Sequence, residues 1–413
     1  MTEEQIHQDA MRRMFGHDDE EDSQFTMAEV ALAVAEVAIA EWKQRFEDDP
    51  ENAEEVLDLS DLGLKAIPPL PVGLRYLNCK DNKLETLGAL PPTLLSLKCS
   101  NNKLRSLPEN LPPFMTSLDC DHNALTSLPW VLPETLDTLL IDYNQIHYLP
   151  PLPPNLILLL ADHNRLHKLP KLPGTLTSLY VSNNLLTSVP KLPDGLLNLT
   201  LDHNLLTKFP EFPDSIQMLH LCKNPARGPL PRLPRALETF TACELGITSL
   251  PDPLPPKLEM IRVSCNKLTR IPTLPKTVTD VCFGHNYLTS LPLPLPPNLK
   301  ILACVWNRIG YLPKLEEMPK TIEQFWFDGN SVPNEAEDES MEDYIAYVER
   351  MFAKSKERIT ERNNAFFEEM MERLWHPDRL IQIIEKRGNS TQWNHELQTY
   401  VSGFDFTMMN EVL

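Results

Sequence analysis

Glycine is scarce in this chain, 13 residues of 413, whereas proline is plentiful at 39. That imbalance excludes a collagen-like repeat, which needs glycine at every third place. No run of about 18 uncharged apolar residues occurs, so no membrane-spanning helix is expected. The opening MTEEQIHQDA lacks both the basic cluster and the apolar core of an ordinary secretory leader. Basic charge is also short: 38 Lys and Arg against 58 Asp and Glu give a net charge of −20. Neutralising phosphates takes clustered Lys and Arg, so nucleic acid is not an expected partner. The motifs G-x-S-x-G, H-E-x-x-H, C-x-x-C and the phosphate loop are missing, which removes the common hydrolase, metalloprotease, redox and nucleotide signatures. Apolar residues still make up 42% of the chain, enough burial to offset ordering entropy, so general disorder is excluded as well.

The charge is unevenly placed. Residues 1–50 carry −10 and residues 331–413 carry −8, leaving −2 for the 280 residues between them. That middle part is self-similar. LLSLKCSNNKLRSLP, LTSLYVSNNLLTSVP and LLNLTLDHNLLTKFP share the frame L-x-x-L-x-(L/C/V)-x-x-N-x-L-x-x-(L/V/F)-P. Its asparagine recurs at Asn82, Asn102, Asn123, Asn144, Asn164, Asn184, Asn204 and Asn224, then at Asn266, Asn286, Asn307 and Asn330. Leu62 and Leu245 fill the same slot, making 14 copies at spacings of 20 or 21 residues, with 23 before the last. A period of this length and consensus is that of a leucine-rich repeat.

The frame dictates a fold. The x-L-x at the centre of each copy predicts a short strand pairing in parallel with its neighbours, leucine inward and flanking residues outward. The asparagine satisfies backbone groups where the chain turns away, which gives a side-chain ladder. Linkers such as LPPLP and LPKLP are too short and too proline-rich for helix, so the convex side is expected to be extended or polyproline-like. Fourteen strands at about 4.8 Å make an inner arc on the order of 65 Å. The expected class is therefore an α/β repeat solenoid, a curved array over residues 55–333 with a parallel β concave face.

These L-P-x-L-P linkers and short repeats resemble the secreted bacterial effector leucine-rich repeats of the YopM and IpaH type, over roughly residues 55–330. IpaH-type members add a ligase domain with a nucleophilic cysteine. Here no cysteine follows Cys304, so that domain is not expected.

Residues 1–25, with the run DDEEDS, read as a disordered acidic tail. Thr26 and Glu29 then form a capping box, opening a helix at about 27–47 within a segment, 26–54, expected to cap the first repeat. This helix places Val30, Val34 and Val37 on one side and Leu32, Ile39, Trp42 and Phe46 on another. Residues 334–413 read as a helical carboxy-terminal module, with apolar side chains at three- and four-residue steps from Tyr344 to Leu374 and a second helix opening at Pro377. Its segment MERLWHPDRLIQIIEKRG resembles helical tails of large DNA virus proteins. His376-Pro377-Asp378 matches the tripeptide of J-domain cochaperones, but the preceding helix carries Glu368, Glu369 and Glu372 where a basic face is required, so helix capping is the favoured account.

Two clusters invite a chemical reading. Asp121, Asp142, Asp162 and Asp202 stand two before the ladder asparagine, with His122, His163 and His203 next to three of them. A divalent-metal ladder is conceivable there, but consecutive side chains point apart, so a solvated rim is favoured and no metal or cofactor is expected. Cys79, Cys99, Cys120 and Cys304 fall at inward slots, whereas Cys222 and Cys243 face out with Cys265 and Cys282 nearby, all read as free thiols.

Folding does not dictate the outward inner-face positions, which makes them informative. Leu140, Leu158, Leu160 and Tyr180 form one apolar patch, with Tyr143 at its margin. Near the end Val305, Trp306 and Trp326 form a second, with Ile301 and Ala303. Such patches mark interaction sites, or in the second case lie beneath the carboxy-terminal helices. The expected function is a non-enzymatic scaffold holding a protein partner, a basic one included, on the concave face, as a host-directed effector. The alternative is a structural component of a virion or other assembly. The expected location is accordingly intracellular, including a host cytoplasm, or a virion.

Overall fold

The computed structural model describes residues 26–48, 56–313 and 317–331. Each copy of the repeat supplies one short strand: β1 (Leu57–Asp58), β2 (Tyr76–Asn78), β3 (Ser96–Lys98), β4 (Ser117–Asp119), β5 (Thr138–Leu140), β6 (Leu158–Leu160) and β7 (Ser178–Tyr180). The array continues with β8 (Asn198–Thr200), β9 (Met218–His220), β10 (Thr239–Thr241), β11 (Met260–Arg262), β12 (Asp280–Cys282), β13 (Ile301–Ala303) and β14 (Gln324–Trp326). All fourteen lie in one sheet in chain order, each parallel to the next. The expected solenoid with a parallel β face is the fold observed.

Register follows from the repeat. Leu97 faces Leu118, Leu139 faces Leu159, and Leu179 faces Leu199, so the central residues form one buried column. Phe240 and Phe325 occupy the same column without breaking it. A leucine fully removed from water contributes about 1.5–3 kcal/mol. The sheet needs one such residue per rung, because a three-residue strand has only one side chain on its inner face.

Proline has a more specific place than making the linkers extended. The carbonyl of Pro91 accepts the Leu94 N–H, and Pro133 to Leu136, Pro173 to Leu176 and Pro275 to Val278 repeat this turn just before each strand. A proline fixes its own φ and does not need a donor there, which suits it to start the turn.

The asparagine ladder closes the other end of the strand. Asn184, 4% exposed, donates from Nδ2 to the carbonyls of Ala161 at 2.8 Å, Ser182 at 3.0 Å and Val181 at 3.3 Å. Its Oδ1 accepts the Leu166 N–H at 2.9 Å. One side chain thus satisfies groups of its own rung and the previous one, and Asn82, Asn164, Asn204 and Asn286 do the same.

Helix α1 (Met27–Asp48) begins with the expected capping box: the Thr26 N–H donates to Glu29 Oε2 at 2.8 Å, and the Glu29 N–H to Thr26 Oγ1 at 3.4 Å. Its buried stripe is Ala31, Ala35, Ile39 and Trp42. Leu32, grouped from the sequence with Ile39, Trp42 and Phe46, is 41% exposed, whereas Ile39 and Trp42 are buried. Small residues win because they let the helix backbone approach β1, leaving Trp42 and Phe46 to reach over the edge of the core. The rings of these two stack at 5.1 Å, and Phe46 lies where a Cβ on Gly73 would come within 3.1 Å, so the first turn of the array needs glycine at that place. The acidic tail at 1–25, the carboxy-terminal module at 334–413 and the His376-Pro377-Asp378 tripeptide lie outside the described residues.

Replacing Asn184 by Ala leaves the buried Leu166 N–H without an acceptor and takes one donor each from the carbonyls of Ala161, Val181 and Ser182, which keep Asn164, Asn204 and the His163 N–H. The expected loss is about 2–3 kcal/mol, read as a lower urea midpoint in circular dichroism, whereas Asn183→Ala, one residue earlier and left-handed at φ 54°, is expected to cost less, about 1 kcal/mol.

Candidate functional site

The concave surface is built from the two outward residues of each strand. The third strand residue forms a column in which Leu140 faces Leu160 and Leu160 faces Tyr180. Leu158 stands beside Leu160 on the same strand, flanked by Thr138 and Ser178. All four are half-buried by their neighbours, and Ile157, 46% exposed, extends the apolar surface past the start of β6. The sequence reading missed Ile157, since it precedes the strand, in a column that holds Asp137 and Thr177 on its two sides and Leu95 and Leu197 farther off. On one side the column gives way to Asp119, and on the other to Thr200 and His220.

Tyr143 and Trp306 occupy a different surface. They belong to the position just before the ladder asparagine, where every described non-glycine residue is left-handed, with φ between 50° and 57°. This backbone kink turns the side chain out along the rim, so the two rings are not on the sheet floor. Asp, Asn and His tolerate the left-handed region best, and bulky rings there cost energy that contacts must offset. Tyr143 stacks between His122 at 4.2 Å and His163 at 4.1 Å. Trp306 stacks on His285 at 6.0 Å and covers Gly329, where a Cβ would fall 2.7 Å from its ring. Trp326 faces Ala303 across β13 and β14, and Val305 is half-buried near Gly284. The second apolar group is thereby divided between the floor and the rim.

The aspartates two before the ladder asparagine turn back onto the next rung. The Asp142 N–H donates to Asp121 Oδ1 at 2.7 Å, and the Asp162 N–H to Asp142 Oδ1 at 2.6 Å. Asp162 and Asp202 accept from Ser182 and Cys222 in the same way. Their separation from the histidines comes from the left-handed kink between the two positions, not from strand alternation, because both positions follow the strand. Among the described residues no group of three or more His, Cys, Asp or Glu has an arrangement that would hold a metal ion.

Burial, reinforced by the neighbouring carboxylate, pushes Asp121 and Asp142 up to about 7, and burial raises Asp162 to about 6. Burial, then the Cys222 sulfur, pushes Asp202 up to about 7. His220, with Nδ1 3.7 Å from Asp202, is held below the ordinary histidine range by burial and by the Arg262 charge.

The cysteines divide as expected. Cys79, Cys99, Cys120 and Cys304 are buried, and desolvation pushes Cys79 and Cys304 up to about 12. Cys222 and Cys243 occupy the aspartate position on adjacent rungs. The Cys243 N–H donates to Cys222 Sγ at 3.1 Å, and with the Cys243 thiol hydrogen bond it lowers the Cys222 thiol, while that of Cys243 is raised.

This architecture is similar to that of solved bacterial proteins. The leucine-rich effector YopM of Yersinia pestis shares 30% identity and a TM-score of 0.63, the match covering 79% of this chain and 100% of YopM. A leucine-rich repeat protein of Leptospira interrogans shares 24% identity at a TM-score of 0.54, covering 72% of this chain and 95% of its own. The leucine-rich repeat domain of a Shigella effector is 32% identical over 42% of this chain and 70% of its own, with a TM-score of 0.34. No protein-family model matches the chain, and no curated protein does.

Two outcomes are expected. The four aspartates have folded pKa values raised above the ordinary 3.8, so from about pH 4 to pH 7 the folded state holds protons that the unfolded chain has released. Their contribution to stability falls across that window and levels off above it. Asp142→Asn, which keeps the acceptor and loses the charge, should therefore melt higher than the parent at pH 8 and close to it at pH 4. Second, iodoacetamide at pH 7 should modify Cys222 and the exposed Cys265 in the folded protein, while Cys79, Cys99, Cys120 and Cys304 react only in urea, as read by peptide mass mapping.

Proposed function

We propose that this chain, which belongs to the leucine-rich repeat proteins of the short-repeat YopM type, is a non-enzymatic scaffold that binds a protein partner through the floor of its concave sheet. One observation carries the reading: Leu140, Leu160 and Tyr180 stand in register on three adjacent strands with Leu158 beside them, at positions where the fold tolerates polar residues. The same column carries Asn78, Lys98 and Asp119 in earlier copies and Thr200 and His220 in later ones. Leucine there does nothing for the core.

A sheet of this kind is ordered before it meets a partner, so association loses little backbone entropy. The partner would insert apolar side chains over Leu160 and Tyr180. Basic groups on it would lie against Asp119 and Asp137, which border the patch and suit a basic partner. The Trp326 surface is proposed as a second contact, and Tyr143, Val305 and Trp306 as contacts at the rim. YopM is described as an effector, and this supports the reading that the partner is a host protein.

The test is a photo-crosslinking amino acid placed at Ser178, on the strand that carries Tyr180 and in register with Leu158. A single crosslinked product from host-cell extract is expected. The double variant Leu160→Asp, Tyr180→Asp should reduce it at least about tenfold, since anchors of this type each carry about 2 kcal/mol or more. Ser96→Asp with Ser117→Asp, at the corresponding outward positions of β3 and β4, should leave it unchanged. An equal yield from the Leu160, Tyr180 variant would remove the concave patch as the binding surface.

A further inference from the structure

The asparagine ladder is interrupted once inside the array, at Leu245 between Asn224 and Asn266. In a regular rung the ladder Oδ1 accepts an N–H of the previous copy, as Asn224 does from Leu206 at 3.1 Å. The residue after the asparagine donates its own N–H to the previous copy, as Lys103 does to the Leu84 carbonyl at 2.9 Å. Between the copies that hold Asn224 and Leu245 both links are lost. Leu245 has no oxygen to offer Ala226, and Gly246 makes no bond to the Ala226 carbonyl. One rung earlier Pro225 has no N–H to give. The Ala226 and Gly246 N–H groups are thus without a protein acceptor among the described residues.

The opened rung is a cleft of about 540 Å³, within the roughly 300–1,000 Å³ of small-molecule sites. Ala226 and Gly246 both line it. So do Arg227, Lys267, Thr248 and Ser249. No acidic residue lines the cleft, although the chain as a whole carries a net charge of −20. Among the described residues neither Arg227 nor Lys267 has a carboxylate partner. Gly228 and Gly246 both line the cleft and are left-handed, at φ 99° and 69°, a conformation that suits glycine. A second hollow lined by Lys208 and Phe209 shares Arg227 and Gly228 with it.

Two basic residues, two hydroxyl-bearing residues and two residues whose amide N–H groups have no protein acceptor, gathered around one cleft without an acid, supply the donor types of an oxyanion site. We propose that this cleft binds the phosphate group of a small phosphorylated ligand, held by Arg227 and Lys267 with the amides of the broken rung. The ladder fault then has a use, since an intact asparagine would close the opening and consume the same donors. The site lies on the loops beyond the strands, apart from the Leu160 patch, and stands or falls independently of the concave-face reading.

The experiment titrates the full chain with inorganic phosphate and with pyrophosphate, following binding by calorimetry and by 31P line width at constant ionic strength, with acetate as the carboxylate arm. Saturable binding of phosphate or pyrophosphate is expected, at least about tenfold tighter than acetate. Arg227→Ala and Lys267→Ala should each weaken it about tenfold. Leu245→Asn, which leaves every charge in place and restores the ladder acceptor, should weaken it severalfold with an unchanged or raised melting temperature. Lys103→Ala, the counterpart of Lys267 in an intact rung, should have no effect. The proposal is overturned by non-saturable binding, by equal affinity for acetate, or by losses from Lys103→Ala as large as those from Lys267→Ala.

Discussion

Each turn of this solenoid bends the chain sharply away from a strand and directs backbone carbonyls and amides into a space that water does not reach. Unpaired, each such group would cost about 1–3 kcal/mol, and the array repeats the problem at every copy. The buried asparagine meets it with a single side chain, its Nδ2 serving carbonyls of two rungs and its Oδ1 an amide of the earlier one. Leucines supply most of the driving force for collapse, but they would bury themselves in many arrangements. The amide ladder requires adjacent copies to stack at one spacing and in one register.

That constraint also decides which residues are free to serve function. The core column and the ladder are spoken for, the proline turn fixes the approach to the strand, and the left-handed residue before the asparagine fixes the departure. What remains is the pair of outward positions on each strand and the rim. Tyr143 between His122 and His163 shows how far the rim bends its own rule, for a tyrosine is held at φ 52° by rings stacked on both sides. Where the ladder itself fails, at Leu245, the opposite happens, and donors that the fold normally consumes are left facing a cleft.

Much of this could be read before any coordinates. The period places all fourteen strands, the inward cysteines and the ladder, and Thr26 with Glu29 places the capping box of α1, because each depends on residues close in sequence or one copy away. The helix face was harder. Leu32 is the larger apolar residue, yet Ala31 and Ala35 are the ones buried, since the distance of closest approach to β1 is a property of the packed pair. The left-handed kink was also hidden, as histidine, tyrosine, tryptophan, cysteine and lysine all occupy that position and share no local signature. Without the kink, Tyr143 reads as the margin of the first concave patch and Trp306 as a member of the second.

The sequence by itself determined the repeat, its register and the chemical identity of every rung, because a side-chain ladder at fixed spacing admits one stacking. Tertiary structure alone decided which side chains leave the sheet floor for the rim, for Tyr143 and Trp306 are turned out by a left-handed backbone at φ 52° that no local residue type announces. It also decided that Pro225 and Leu245, unremarkable singly, fall on adjacent rungs and open a gap between them. A missing hydrogen bond has consequences only when the group that needed it is brought to the same place, and that placement belongs to the stacked array.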